Sequence, residues 1–363
     1  MKGLIRFMAC WLLLGPVVLP APAAFTSLYV FGDGASTTTN NPFAGPSYYG
    51  LRRSNGRVWV EVLAQRQGLN YESNKNWSYY GHYSANLVTN VNSFAAPTNA
   101  NTALFIVWVN DADFVNDMGK IYPSTNIVTW SNAISLSLNN HFKAITNLYA
   151  KGARTVILPN AVDITKIPQY NLTTSAALKS FVRQRVMDFN AAFATTLVSR
   201  IKTNCPGLTV YVPDIFTLLD NILVRSADYG MTNALYNGQS IDVLEDPALA
   251  DKSLNGRGTN YIFWDTTDPT AKAHAVIADF VQQLLSPVRI NSITHLSGGN
   301  RLEMVNLPIG RAGFVEGSAG FSGWTNVAGI ASTNTTQTIF LPAPANGPPG
   351  FYRLRFPFAW AWP

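Results

Sequence analysis

The sequence predicts an α/β fold with a parallel sheet, followed by a small all-β module. Three observations carry this expectation. Short apolar, β-branched runs alternate with amphipathic helical patterns through most of the 363 residues, the signature of parallel strands joined by helices. The first run, Leu28-Tyr29-Val30-Phe31, ends directly in Gly32-Asp33-Gly34-Ala35-Ser36. In an open α/β sheet, the loop at the carboxyl end of such a strand is where reacting groups are placed. Beyond Pro287 the helical patterns stop, and short alternating runs separated by Gly, Pro and Asn take over.

Composition sets the outer limits. Apolar residues make up 47% of the chain and charged residues only 13%, so a large core is available and disorder is not expected. Lys2 and Arg6 precede an apolar stretch over 7–19, and Ala21-Pro22-Ala23-Ala24 offers small residues for cleavage. Residues 1–24 therefore read as a secretory signal peptide. The expected location is secreted or periplasmic, with no transmembrane anchor in the mature chain. Cleavage removes two basic residues and no acid, so the net charge falls from +6 to +4. The remaining basic residues are scattered, which gives no nucleic-acid footprint. Only Cys205 remains, in a helix-ending Asn204-Cys205-Pro206-Gly207 turn, so no internal disulfide is expected.

The elements follow in order. Residues 58–65 read as a helix stopped by Gly68. Residues 104–109 form a buried strand by their continuous apolar character. Ile134, Leu138, Phe142, Ile145 and Leu148 share one helix face, ended by Gly152. A strand follows at 154–160. Thr173-Thr174-Ser175 caps a long helix with Leu178, Val182, Val186, Phe189, Phe193, Leu197 and Ile201 on its apolar face. A strand at 208–212 and a short helix at 214–224 come next, and a last helix carries His274, Ile277, Phe280, Val281 and Leu284. Beyond it, strands are expected at 289–293, 302–307, 313–318, 338–341 and 351–356. The expected division is 25–287 for the α/β domain and 288–363 for a β-sandwich-like module.

Four blocks carry a family resemblance. Phe31-Gly32-Asp33-Gly34 resembles the Phe-Gly-Asp-Ser nucleophile turn of the GDSL (SGNH) ester hydrolases. Ser54-Asn55-Gly56-Arg57-Val58-Trp59-Val60-Glu61 resembles the segment that follows this turn in secreted members. The stretch from Asn76 to Ser84 occupies the place of the oxyanion-glycine block. Phe263-Trp264-Asp265-Thr266-Thr267-Asp268-Pro269-Thr270 resembles Phe-Trp-Asp-x-x-His-Pro-Thr. The resemblance covers residues 28–285 and implies a three-layer, flavodoxin-like fold and a cofactor-free ester hydrolase. It also assigns positions: Gly34 stands at the nucleophile, Asp265 at the triad acid and Asp268 at the histidine. Gly81 stands at an oxyanion glycine. In the favoured, ungapped register, Asn110 falls on the glycine of Gly-x-Asn-Asp, Ala112 on the oxyanion asparagine and Asp113 on the following aspartate; a shift by two residues instead keeps Asn110-Asp111 as the Asn-Asp pair and puts Trp108 on the glycine.

The chemistry of this family needs a serine, a histidine, an orienting acid and oxyanion donors. Here the serine and histidine positions are substituted, and a triad acts as a unit. The leading expectation is a hydrolase fold that has lost catalysis and binds a small ester, a glycan or a partner through the old cleft. A second is an active esterase using Ser36 as nucleophile with His82 or His274 as base. A third is a Ca²⁺ or Mg²⁺ site built from Asp33, Asp265 and Asp268, with Asp113 near them; the simpler reading of these aspartates is hydrogen-bonded loop carboxylates, with no metal. The β module reads as a stabilising or surface-attachment appendage. Trp324, Trp360 and Trp362 are its candidates for carbohydrate contact.

Overall fold

The computed structural model describes residues 25–109, 112–114, 124–172, 174–343 and 350–363. Strands β1 (Leu28–Gly32), β2 (Leu104–Trp108), β3 (Thr155–Ile157) and β4 (Thr209–Tyr211) form one parallel sheet in the order β1-β2-β3-β4. Every residue of β1 and β2 is buried, as expected for parallel strands covered on both faces. On the free side of β1, Asn76 makes a single parallel bridge to Val30. Trp77 and Tyr79 continue it by donating backbone N–H bonds to Val30 and Gly32. This segment takes the place of a further strand and lays Tyr80 and Gly81 beside the β1 loop.

Helices cover the sheet: α1 (Trp59–Arg66), α2 (Ser84–Ser93), α3 (Ile127–Ala150), α4 (Ala176–Ala192), α5 (Ile215–Val224) and α6 (Ala271–Leu285). The helix α1 is buried on nearly all sides rather than on one face, because it lies under both α6 and the β module. The chain of α4 runs on through a wider turn at Phe193–Leu197 and a final helical segment, Val198–Asn204. Its expected apolar face is the buried one, apart from Leu178, which is partly exposed. Ser175 caps α4 by accepting from the Leu178 N–H, and Asp214 caps α5 by accepting from Thr217.

The C-terminal module is a pair of antiparallel sheets. Strands β5 (Arg289–Leu296), β6 (Gly299–Val305), β7 (Ala312–Ser318), β8 (Thr325–Ala331), β9 (Thr336–Pro342) and β10 (Phe351–Arg355) pair as β9-β6-β5 and β8-β7-β10. The sequence reading lacks β8. That edge strand exposes most of its small side chains, so it carries no apolar signal. A separate small core of Leu302, Met304, Leu307, Val315, Ile330 and Leu341 fills the space between the sheets.

The module is fastened to the α/β domain by charge and by aromatic packing. Asp279 on α6 accepts from Arg66 Nε at 2.8 Å and from Arg311 Nη1. Both arginines are buried. The segment after β10 then crosses back over the α/β domain. Phe358 packs on Tyr229, Lys272 stands over Trp360, and Trp362 donates its indole N–H to the Asn55 carbonyl at 2.8 Å. Trp360 and Trp362 thus serve as packing between the two parts.

Candidate functional site

The loop after β1 turns on Asp33, whose Oδ1 accepts from the Ala35 N–H at 3.0 Å. Gly34 follows with nothing on its Cα. A Cβ placed there would stand 3.3 Å from Tyr80 Cδ2 and 3.5 Å from Asp268 Oδ1, so Asp268 faces Gly34 directly. The loops that carry Gly34 and Asp268 meet here. The group that fills it is one the motifs do not announce.

That group is Arg53. Its guanidinium reaches Asp265 Oδ2 through Nη2 at 2.6 Å and Asp268 Oδ2 through Nε at 2.9 Å. It is 5% exposed. Three aromatic rings surround it, with centroids at 4.6 Å for Tyr80, 4.9 Å for Phe43 and 5.6 Å for Tyr48, each offering its π face to the cation. Burial opposes the charge on Arg53, but Asp268 and Asp265 outweigh it and hold the group firmly protonated. Tyr48 donates its hydroxyl to Asp265 Oδ2 at 2.8 Å. Burial first, then Asp265, raises the pKa of that phenol.

The two carboxylates are unequal in surroundings. Asp265 Oδ1 accepts the backbone N–H groups of Thr267 and Asp268 at 3.0 and 2.9 Å. Asp268 Oδ2 accepts from Thr267 Oγ1 at 2.6 Å as well as from Arg53. Burial and then the neighbouring Asp265 push the Asp268 carboxyl up to about 7, against the pull of Arg53. The guanidinium sits where an added cation would have to bind. Among the described residues, no three His, Cys, Asp or Glu side chains gather as metal ligands.

The remaining candidates divide into two sets. Gly81 and Ala112 line the cleft with Asp33 and Gly34. Gly81 has φ +76, a backbone that disfavours any side chain. Asn110 lies outside the described residues. Asp113 does not join Asp33, Asp265 and Asp268. Its Oδ1 accepts from the Ser84 N–H at 2.9 Å and its Oδ2 from Ser137, beside the buried ring of His141. Burial raises the Asp113 pKa and lowers that of His141. The turn that starts at Ala112 directs Asp113 toward α2 and α3, and neither Asp113 nor His141 lines the cleft.

Ser36 is fully buried and accepts from the Trp59 indole N–H at 3.0 Å. It sits behind the loop, against Gly32 rather than Gly34. His82 packs at a tilt on Tyr79 and bonds Asn90. His274 is fully buried in α6, and neither ring nitrogen has a hydrogen-bond partner among the described residues. None of the three lines the cleft.

His274 carries a prediction of its own. Burial pushes its pKa down to about 3, whereas in the unfolded chain it titrates near 6.5. Between these values the unfolded state binds the extra proton, so stability falls as pH drops below about 6.5, by roughly 1.4 kcal/mol per unit. His274→Leu is expected to gain about 2–3 kcal/mol on the wild type between pH 7.5 and 4.5, read from urea unfolding at both values. A difference that does not change with pH would contradict this.

From the cleft an apolar cavity of about 240 Å³ runs inward between α5 and α6. Ile215, Leu218 and Ile222 form one wall, and Ala273 and Ile277 the other. Gly34, Tyr80, Trp108 and Asp268 stand at its polar end. The arrangement offers the Asp268 carboxylate oxygen turned toward Gly34, a closed ion-pair network and an apolar recess.

Comparison with known proteins places the chain. The family model of GDSL-like lipase/acylhydrolase matches residues 28–281. The thermolabile hemolysin of Vibrio parahaemolyticus is 23% identical over 284 residues, covering 71% of this chain and 63% of the hemolysin. An acetylesterase of Thermothelomyces thermophilus is 25% identical over 238 residues, 57% of this chain and 76% of that protein. Among solved structures, a lipase from a goat rumen metagenome superposes with a TM-score of 0.44 at 10% identity, covering 71% of this chain and 97% of that one.

Proposed function

The chain belongs to the GDSL-like lipase/acylhydrolase family, and on that premise we propose that it binds a ligand in the family's cleft without hydrolysing esters. One observation carries this reading: Arg53 bridges Asp265 and Asp268, so the triad's acid and histidine positions are joined into an ion pair. A general base must reach the proton it takes and be free to accept it. Asp268 faces Gly34, which has no hydroxyl to give, and its own charge is engaged by the guanidinium.

The substitutes also favour this reading. Ser36 Oγ is enclosed and engaged by Trp59. A nucleophile needs an adjacent base, and His82 and His274 both lie off the cleft. The leader-like residues 1–24 support export, so the ligand is one met outside the cytoplasm. The β module, strapped to α1 and α6, serves as a stabilising appendage.

The test is turnover of short-chain p-nitrophenyl esters by the purified protein, with Ser36→Ala alongside. Both are expected to match the uncatalysed rate. Release of p-nitrophenol in proportion to protein concentration, lost in Ser36→Ala, would overturn the reading.

A further inference from the structure

The cavity also says which head group it accepts. Its volume of about 240 Å³ compares with the roughly 150 Å³ apolar cavity that holds a benzene, so about eight to ten carbons fit. Its walls between α5 and α6 are aliphatic. Its polar end presents Asp268 Oδ1, the oxygen turned toward Gly34, since Oδ2 is taken by Arg53 and Thr267. Trp108 also lines the cavity, and its buried Nε1–H has no partner among the described residues. No lysine or arginine is among the described lining residues. Asp265 and Asp268 share the single guanidinium of Arg53, so negative charge is in excess there.

We propose that the cavity takes an unbranched alkyl chain of about eight to ten carbons ending in a hydroxyl group, and that it discriminates against the matching carboxylate. The hydroxyl donates to Asp268 Oδ1 and offers an acceptor to the Trp108 indole, one group satisfying both. A carboxylate brings a like charge to Asp268, and Arg53, the cation at hand, is already shared by Asp265 and Asp268, a juxtaposition that is costly where the charges are largely buried. This rests on the reading of the cleft as a binding site. It reverses the preference expected of a pocket that retains an ester's acid product.

The experiment is calorimetric titration of the full chain at pH 8 with 1-octanol and with octanoate. The expected result is saturable binding of octanol at one site, with octanoate weaker by about tenfold or more. Leu218→Trp and Ala273→Leu, which fill the cavity from opposite helices, should each weaken octanol tenfold, with far-ultraviolet circular dichroism reporting that each variant is folded. Octanoate binding as tightly as octanol would overturn the head-group inference and leave the binding site standing. Octanol binding untouched by both folded variants would place the alkyl site elsewhere and also overturn it. Failure of both ligands to bind would count against the cleft as a binding site altogether.

Discussion

Replacing Arg53 by methionine is expected to cost about 3–5 kcal/mol of stability at pH 8, the loss typical of breaking a buried ion pair on one side. The magnitude follows from what is left behind. Asp265 and Asp268 are each 4% exposed, and each loses its only cationic partner shown at this site. Methionine keeps the length and the aromatic contacts, so the loss reports charge rather than packing. The sign with pH is fixed. Without the guanidinium's opposing pull, the Asp268 carboxyl, already raised by burial, titrates higher still in the folded state than in the unfolded chain. Stability is then retained at low pH and lost as pH rises through the folded value. The gap between Arg53→Met and the wild type should therefore be smaller at pH 5 than at pH 8 in urea unfolding. A domain of this kind has a total stability of about 5–15 kcal/mol, so the loss at pH 8 is a large share of it. A variant as stable as the wild type at pH 8 would mean that the ion pair is not what holds the loop.

The second large effect concerns restoring the missing groups. Gly34→Ser with Asp268→His supplies the nucleophile and base that the family uses. The backbone at Gly34 accepts a side chain, and the nearest atoms to a Cβ stand at 3.3 and 3.5 Å. The double variant is nevertheless expected to stay at background, because Arg53 remains. A cation within hydrogen-bonding reach of a histidine at 268 lowers its basicity and keeps hold of Asp265, which should orient the new imidazole. Adding Arg53→Ala releases Asp265 to that histidine. The triple variant should exceed the double by about 10²-fold or more on p-nitrophenyl acetate, the lower end of what a positioned general base contributes. Equal activity in the two would show that Arg53 is not the obstacle.

Much of the fold was legible because it is written locally. The β1 run, the caps Ser175 and Asp214 and the buried face of α4 each depend on neighbours a few residues away. That Gly34, Asp265 and Asp268 come together is legible through their motifs. Arg53 is not. It precedes the Ser-Asn-Gly block with nothing to mark it, and its partners lie more than two hundred residues on, across the sheet. Only the fold brings them together. Asp113 misled for a related reason: spacing along the chain set it beside the cleft aspartates, but the turn at Ala112 points it toward Ser84 and Ser137. Trp360 and Trp362 are candidates for carbohydrate contact from the sequence, which alone does not show that the final segment folds back onto Asn55 and Lys272.

The claim that this cleft binds without cleaving is tested most directly by following one ester in both respects at once. The wild-type protein would be incubated with excess octyl acetate at pH 8, the bound fraction measured by equilibrium dialysis, and the ester and its products quantified by mass spectrometry over a day. The account predicts bound ester recovered intact, with octanol appearing at the rate of protein-free buffer. Octanol and acetate formed in proportion to protein concentration would contradict it.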